Sequence, residues 1–293
     1  MMRKFIDRIT GKGMSGLSLV TSFLVFIIAL GLFIKSRPIL EISSLYDLLT
    51  STAWYPLKGE FGFFPFLMGT FWVTFLAMGL ALPVCLFSSI YLAEYAPRRF
   101  TEIAKPLIDL LAGIPSVVYG VFGMLAIVPV IRTLASYSGV STTGYSVLAG
   151  GIVLAIMVFP IIISVSVEVI QSVPYEARES SLSLGATHWQ TTKSVVLRKA
   201  FPGIVAAIIL GFSRAFGETM AVLMVVGNVV QVPHSILDEA YPLTALIANN
   251  YGEMLSIPLY DSALLFGALI LLCIVFIFSI LARLILLRWE AMA

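Results

Sequence analysis

An arginine and a glutamate four residues apart, Arg214 and Glu218, lie inside a long apolar run of the chain. They belong to Gly211-Phe-Ser-Arg-Ala-Phe-Gly-Glu-Thr-Met220, with Gly217 and Thr219 beside them. A spacing of four puts both charges on one face of a helix, where they can pair. A guanidinium is a planar, permanently charged donor that suits an oxyanion. One reading is that Arg214 offers this donor to a passing anion while Glu218 holds it in place. The other is a structural ion pair that locks helices together. An arginine at the centre of a membrane helix costs about 2.5–3.5 kcal/mol even on the mild insertion scale, so such a residue faces a bundle interior or water and marks a path or a partner. That default favours the path. Gly211 and Gly217 would let a neighbouring helix approach closely.

A second signal is Gly113-Ile-Pro-Ser-Val-Val-Tyr-Gly120. Small residues and a proline in an apolar run free backbone groups that can line a polar path. Ser116 and Tyr119 add hydroxyls. A packing kink between helices explains the same residues, and the residues alone favour the kink. Pro115 beside Gly113 is expected to mark a real break.

The third signal is the polar interval 169–199, which holds Glu179-Ser-Ser-Leu-Ser-Leu-Gly185 followed by Ala186. Its apolar residues, Leu182, Leu184, Trp189, Val195 and Val196, are too sparse to span a bilayer but give short helices an apolar side. Gly185 permits a sharp turn between two such helices. A helix, a glycine turn and a second helix at a membrane face form a docking surface that can take force from a soluble partner.

Other chemistry is not supported. His188 and His234 are isolated, and neither has a second ligand at metal spacing. Cys85 and Cys273 read as small buried hydrophobes. There is no phosphate-cradling Gly-x-x-x-x-Gly-Lys loop and no nucleophile with a base, so an enzyme is not indicated. Asp109 and Glu168 fall at the ends of apolar runs, and Glu94 closes the second run before Pro97.

The elements that must position these residues are membrane helices. Of the 293 residues, 59% are hydrophobic and 12% charged, against a charged share of about 25% in soluble domains. Six runs reach the roughly 20 apolar residues that a bilayer core requires, at about 17–34, 66–92, 107–131, 145–169, 201–230 and 262–287. The spacing predicts one all-α transmembrane domain, 1–293, with the polar loop at about 170–200. Pro83, Pro115, Pro129 and Pro160 should kink or end their helices. The first run is too long for a signal core and is expected to be a retained helix.

Orientation follows from Lys and Arg. With the N-terminus inside, inner segments hold Arg3, Lys4, Arg8, Lys12, Arg98, Arg99, Lys105, Arg178, Lys193, Arg198, Lys199, Arg283 and Arg288. Outer segments hold Lys35, Arg37, Lys58 and Arg132. The outer segment 231–261 has none and carries Asp238, Glu239, Glu253 and Asp261. Both termini and the polar loop are therefore expected in the cytoplasm. The outer segments 35–65 and 231–261, rich in aromatics and prolines such as Trp54, Tyr241 and Pro258, are expected to form ordered caps or to anchor at the interface.

The interval from Glu179 to Gly185, with Val195-Val-Leu197, resembles the cytoplasmic "EAA" coupling loop of permeases in binding-protein-dependent ABC importers. Within that family the chain is similar to the PstC-type permeases of phosphate importers. The resemblance rests on Leu49-Thr-Ser-Thr-Ala-Trp54, Gly59-Glu-Phe-Gly62, Tyr91-Leu-Ala-Glu-Tyr-Ala-Pro-Arg-Arg99, Ile114-Pro-Ser-Val-Val-Tyr-Gly120, and Arg214-Ala-Phe-Gly-Glu-Thr-Met-Ala-Val222 with Gly227-Asn228. Met220-Ala-Val222 and Gly227-Asn228 look more like PstC than its sister permease PstA. Ser180 and Ser181 depart from the two alanines of the motif. Arg198 stands where the family loop often ends in proline, with Pro202 four residues on, which suggests a longer second loop helix.

The resemblance implies a type I ABC importer permease of MetI-like architecture with six helices in the cell membrane. It implies a PstA-type second permease, a PstB-type ATPase dimer and an extracytoplasmic PstS-type phosphate-binding protein. ATP would be bound by the ATPase, and this chain would need no cofactor or metal. Arg214, Glu218, Thr219, Ser116 and Tyr119 would line the substrate path. Glu179, Ser180, Ser181, Gly185 and Ala186 would meet the ATPase. Competing readings are a permease for sulfate, molybdate or phosphonate, a secondary anion transporter or channel, and a non-transporting scaffold. The docking loop argues against a self-powered carrier, and the intramembrane charges argue against a scaffold.

Overall fold

In the computed structural model, which describes residues 2–252, 257 and 259–290, six helical segments are long and apolar enough to cross a membrane. They are Gly13–Ile42, Phe64–Tyr95, Ser116–Tyr137, Val147–Gln171, His188–Gly217 and Tyr260–Leu281. The side chains of Arg3, Lys4, Arg8, Lys12 and Arg288, and all of Glu253 and Pro258, lie outside the described residues.

The first span belongs to α1 (Met2–Ile42). None of its most apolar stretch is buried by the rest of the chain, as suits a helix whose solvent is hydrocarbon. It rests on the last helix, where the Ser262 hydroxyl donates to the Lys35 carbonyl at 2.9 Å. After it come α2 (Leu45–Thr50) and an antiparallel hairpin of β1 (Trp54–Tyr55) and β2 (Glu60–Phe61). The Trp54 ring meets Phe66 edge-on with centroids 4.8 Å apart, and also touches Phe61, Phe63 and Tyr260. These rings make the segment a packed cap.

The second span is α3 (Phe64–Ile90) extended by a π turn, Tyr91–Tyr95. It runs through Pro83 without ending. The amphipathic helix α4 (Arg98–Gly113) follows and buries no residue. Its Phe100, Ile103, Leu107 and Leu110 are exposed, and Arg98 pairs with Glu102 at 2.9 Å on its polar side. Such a helix belongs in the membrane interface.

This corrects the third run. The apolar spacing predicts a span from about 107, but the chain turns extended at Ile114 and Pro115, with ψ 128° and 141°. The cause is the proline, which pushes the residue before it out of helical conformation. The span is instead α5 (Ser116–Phe122), a π turn at Gly123–Ile127 and α6 (Val128–Tyr137), with Pro129 in the first turn of α6.

The fourth span, α7 (Val147–Gln171), is the most buried and continues through Pro160. Its first backbone donors find partners in a loop: Val147 N–H donates to Asp238 O at 2.9 Å and Leu148 N–H to Ile236 O at 2.8 Å. The two-helix loop follows as α8 (Tyr175–Ser183) and α9 (His188–Thr191). Helix α9 passes through a π turn, Thr192–Val196, into α10 (Leu197–Gly217). The second loop helix is therefore continuous with the fifth span, as the displaced proline suggested.

The fifth run also needs correction. The apolar spacing predicts 201–230, but helix runs from His188 to Gly217. Beyond it are α11 (Met220–Leu223) and irregular backbone, in which Gly227 and Asn228 take φ +94° and +54°. The middle of this apolar tail is buried against protein at Ala221, Val222, Val225 and Val226, so non-helical backbone is tolerated there. Helices α12 (Leu243–Asn250) and α13 (Tyr260–Glu290) complete the chain. Cys85 is fully buried, as expected, but Cys273 is exposed on α13, whose outward face has no protein against it.

Helices α3, α7 and α10 form the centre. Val73, Ala77 and Ala81 of α3 share one apolar cluster with Leu154, Val158 and Ile162 of α7 and Ala215 of α10. A β-carbon at Gly211 would overlap the Ile162 side chain, so glycine sets the approach of α10 to α7. Gly217 has nothing within 4 Å of such a carbon, and the close approach expected there is absent.

Candidate functional site

Helix α10 stops at Gly217, and Glu218 is extended, with φ −72° and ψ 130°. The break decides where the charges go. Arg214 lies in the last turn of α10 and is exposed, a position where a cation complements the carbonyl end of the helix. Glu218 does not return to it. Its Oε1 accepts from the Ala221 N–H at 3.2 Å, at the start of α11. Its backbone carbonyl accepts from the Thr244 hydroxyl at 3.0 Å. No Arg214–Glu218 ion pair forms among the described residues. The pairing expected from a spacing of four fails because the helix that would align the two ends before Glu218.

The hydroxyls fall in different surroundings. Tyr119 is buried and donates to the Leu111 carbonyl at 2.7 Å, tying α5 across the Pro115 break to the end of α4. It also lies within electrostatic reach of Arg214. Ser116 is half-buried in the first turn of α5. Thr219 donates to the Gly217 carbonyl at 3.4 Å. Helix α5 sits directly on α11, where a β-carbon at Gly120 would overlap the Met224 sulfur. The structure thus brings the two broken helices together.

On its inner side Glu218 lines a cavity of about 10 Å³ with Thr70, Thr74, Ala215 and Thr244. This is at the lower limit for one water molecule. The cavity is too small to be a conduit.

At the other end of the bundle the two-helix loop is tightly built. Helix α8 ends at Ser183 with Leu184 as its C-cap, and Gly185 takes φ +83°. The Gly185 and Ala186 N–H groups donate to Leu182 O at 2.9 Å and Ser181 O at 3.3 Å, a glycine-dependent helix stop. Thr187 and Gln190 form a reciprocal capping box at the start of α9, at 2.8 and 3.3 Å. The Ser181 hydroxyl meets that of Thr191 at 2.9 Å and clips the helices together. Ser180 donates to the Glu176 carbonyl at 2.7 Å. Glu179, Ser180 and Gly185 are exposed, as are Leu182, Trp189 and Leu184, the last 89% accessible.

The sequence reading missed what anchors this loop. Arg178 bonds Glu94, the last acid of the second span, at 2.7 Å, with side chains 15% and 6% exposed. A signal existed: an acid at the end of an apolar run requires a partner. Eighty-four residues separate the two, so spacing could not name it. On the opposite face, Thr143 donates to Glu239 at 2.7 Å, and the Asp238 carboxylate accepts the His234 and Ser235 N–H groups at 2.9 and 2.8 Å.

Residues 85–290 match the family model "Binding-protein-dependent transport system inner membrane component". The chain is 41% identical over 239 residues to the probable ABC transporter permease protein YqgH of Bacillus subtilis, covering 81% of this chain and 76% of the relative. It is 37% identical over 253 residues to the phosphate transport system permease protein PstC of Xylella fastidiosa, covering 81% and 78%. To the probable phosphate transport system permease protein PstC of Methanocaldococcus jannaschii it is 30% identical over 287 residues, covering 92% and 90%. Among solved structures, a chain of the MetNI methionine ABC transporter in an inward facing conformation aligns with TM-score 0.54 at 20% identity, covering 78% of this chain and 94% of that one. A chain of an amino acid ABC transporter aligns with TM-score 0.53 at 20% identity, covering 77% and 93%. These structures share the fold.

Proposed function

Because the chain belongs to the family of binding-protein-dependent transport system inner membrane components, we propose that it is a phosphate-conducting permease subunit of an ATP-driven importer. The PstC relatives support phosphate as the substrate. One observation carries the mechanism: the loop around Gly185 is rigidly built yet leaves Leu182, Leu184 and Trp189 uncovered beside Glu179. An apolar tip on a fixed scaffold fits a groove in a PstB-type ATPase dimer. ATP is bound and hydrolysed there, and this chain supplies no catalytic group.

Arg214 is exposed on this chain, whereas a membrane arginine needs a polar surrounding. A PstA-type second permease across that face would enclose it, so that the anion path runs between the two permeases past Arg214, with Thr219 and Ser116 proposed to line it. Glu218 holds the broken backbone rather than the guanidinium. A PstS-type binding protein would deliver phosphate to the face that carries the hairpin and the loop 231–240. The Lys and Arg distribution supports a cytoplasmic position for the Gly185 loop and both termini.

The test is co-purification followed by reconstitution. The expected result is that an ATPase subunit accompanies the chain from membranes and that phosphate-loaded binding protein stimulates it. Stimulation by sulfate-, molybdate- or phosphonate-loaded protein instead would reassign the substrate, and the absence of any ATPase would overturn the reading.

A further inference from the structure

At the root of the two-helix loop one guanidinium gathers bonds from several elements, beside an apolar cluster in which Leu86, Ile90 and Ala93 of the second span pack against Ile170, Val173 and Val196. Arg178 of α8 donates through Nη2 to Glu94 Oε1 at 2.7 Å and to the Ile170 carbonyl at 2.9 Å, and through Nε to Glu94 Oε1 at 3.3 Å. Its Nη1 also donates to the Val173 carbonyl. Ile170 belongs to the last turn of α7 and Val173 follows that helix; Glu94 belongs to the π turn that ends the second span. One side chain therefore ties three elements. The next residue, Tyr95, packs its ring edge-on against His188 with centroids 4.7 Å apart, at the first residue of α9. The end of the second span thus grips both helices of the loop, and the wider π turn aims consecutive residues at them.

The loop is joined covalently only to the fourth and fifth spans. At its far end the second span carries Thr70 and Thr74, which line the cavity against Glu218. From Thr74 to Glu94 is twenty residues, roughly 30 Å of helix. A buried ion pair separates only at the cost of leaving charges uncompensated, so a displaced loop draws Glu94 with it.

We infer that Arg178 and Glu94 are positioning residues for coupling: they make the second span follow the loop and carry its motion to the wall beside Glu218. The inference rests on the reading of the loop as the ATPase-docking element.

The test uses the complete complex in proteoliposomes. Glu94→Gln keeps size and an acceptor while removing the charge. The expected result is a complex in normal amount that hydrolyses ATP but moves about tenfold less phosphate per ATP, within the ordinary range of coupling between sites. Arg178→Lys keeps the charge but cannot serve Glu94 and two carbonyls together, and falls between. A merely structural pair would lower the amount of complex and leave the phosphate-to-ATP ratio unchanged; that result overturns the inference.

A second measurement does not depend on phosphate. Spin labels at Phe87→Cys and Glu176→Cys, with Cys273→Ser, should keep a constant separation when ATP binds, and should change separation only when Glu94→Gln is added. Equal behaviour with and without Glu94→Gln overturns the inference. If the unaltered complex moves no phosphate, the proposed substrate fails while this distance still decides the coupling. If no ATPase binds the chain, both fall.

Discussion

Glu218 bonds forward to the Ala221 N–H at 3.2 Å and leaves Arg214, four residues earlier, without its carboxylate. The two charges therefore do separate work: one closes a backbone break, and the other stands on an outward face.

Arg214→Ala should spare the protein and cost transport. The side chain is exposed in this chain, and surface substitutions of this kind stay within about 0.5 kcal/mol of stability. A lost hydrogen bond to a charged partner is worth about 1.5–3 kcal/mol, which corresponds to roughly ten- to hundredfold less phosphate uptake. Initial uptake rates in proteoliposomes, set against thermal unfolding in detergent, check both halves. Basal ATP hydrolysis should persist.

Arg214 and Glu218 should contribute to stability independently. Glu218→Ala removes an acceptor from the first turn of α11, a loss of about 1 kcal/mol by analogy with helix caps. In a double-mutant cycle with Arg214→Ala the coupling energy should stay below about 0.5 kcal/mol. A coupling above about 1 kcal/mol would mean that the two are paired after all.

Gly185 should rank its replacements by backbone tolerance rather than by size. A β-carbon there meets nothing within 4 Å, but φ is +83°, a conformation that Asn adopts more readily than other side chains. Among uncharged replacements, uptake should fall least for Gly185→Asn, further for Gly185→Ala and most for Gly185→Val. Gly185→Asp, which adds charge to the docking surface, should abolish ATP-dependent uptake while the chain still inserts. Normal uptake by Gly185→Asp would refute the docking role.

Much of this architecture is legible in the residues because hydrocarbon demands long apolar runs. Where the reading slipped, two kinds of apolar sequence had been merged. Leu107, Leu110 and Leu111 belong to an amphipathic helix, yet they adjoin the third span without a polar gap. Ala221, Val222, Val225 and Val226 are apolar because protein covers them, not because they cross the membrane in α10. The opposite error hid the start of the fifth span, where His188, Gln190 and Lys193 are helical but polar. At the candidate site, the Gly185 turn was legible from local rules, while the bonds of Glu218 depended on a helix end. Tyr119 was read as a path hydroxyl, and its bond to Leu111 appears only once the Pro115 break is folded.

The most direct measurement is phosphate accumulation by proteoliposomes that contain this chain with its partner permease and ATPase, with loaded binding protein on the outer face and ATP on the face of the Gly185 loop. Accumulation that requires both ATP and the binding protein is the predicted result. Accumulation driven by an ion gradient with ATP absent would contradict the claim that this chain is a gate worked by another protein.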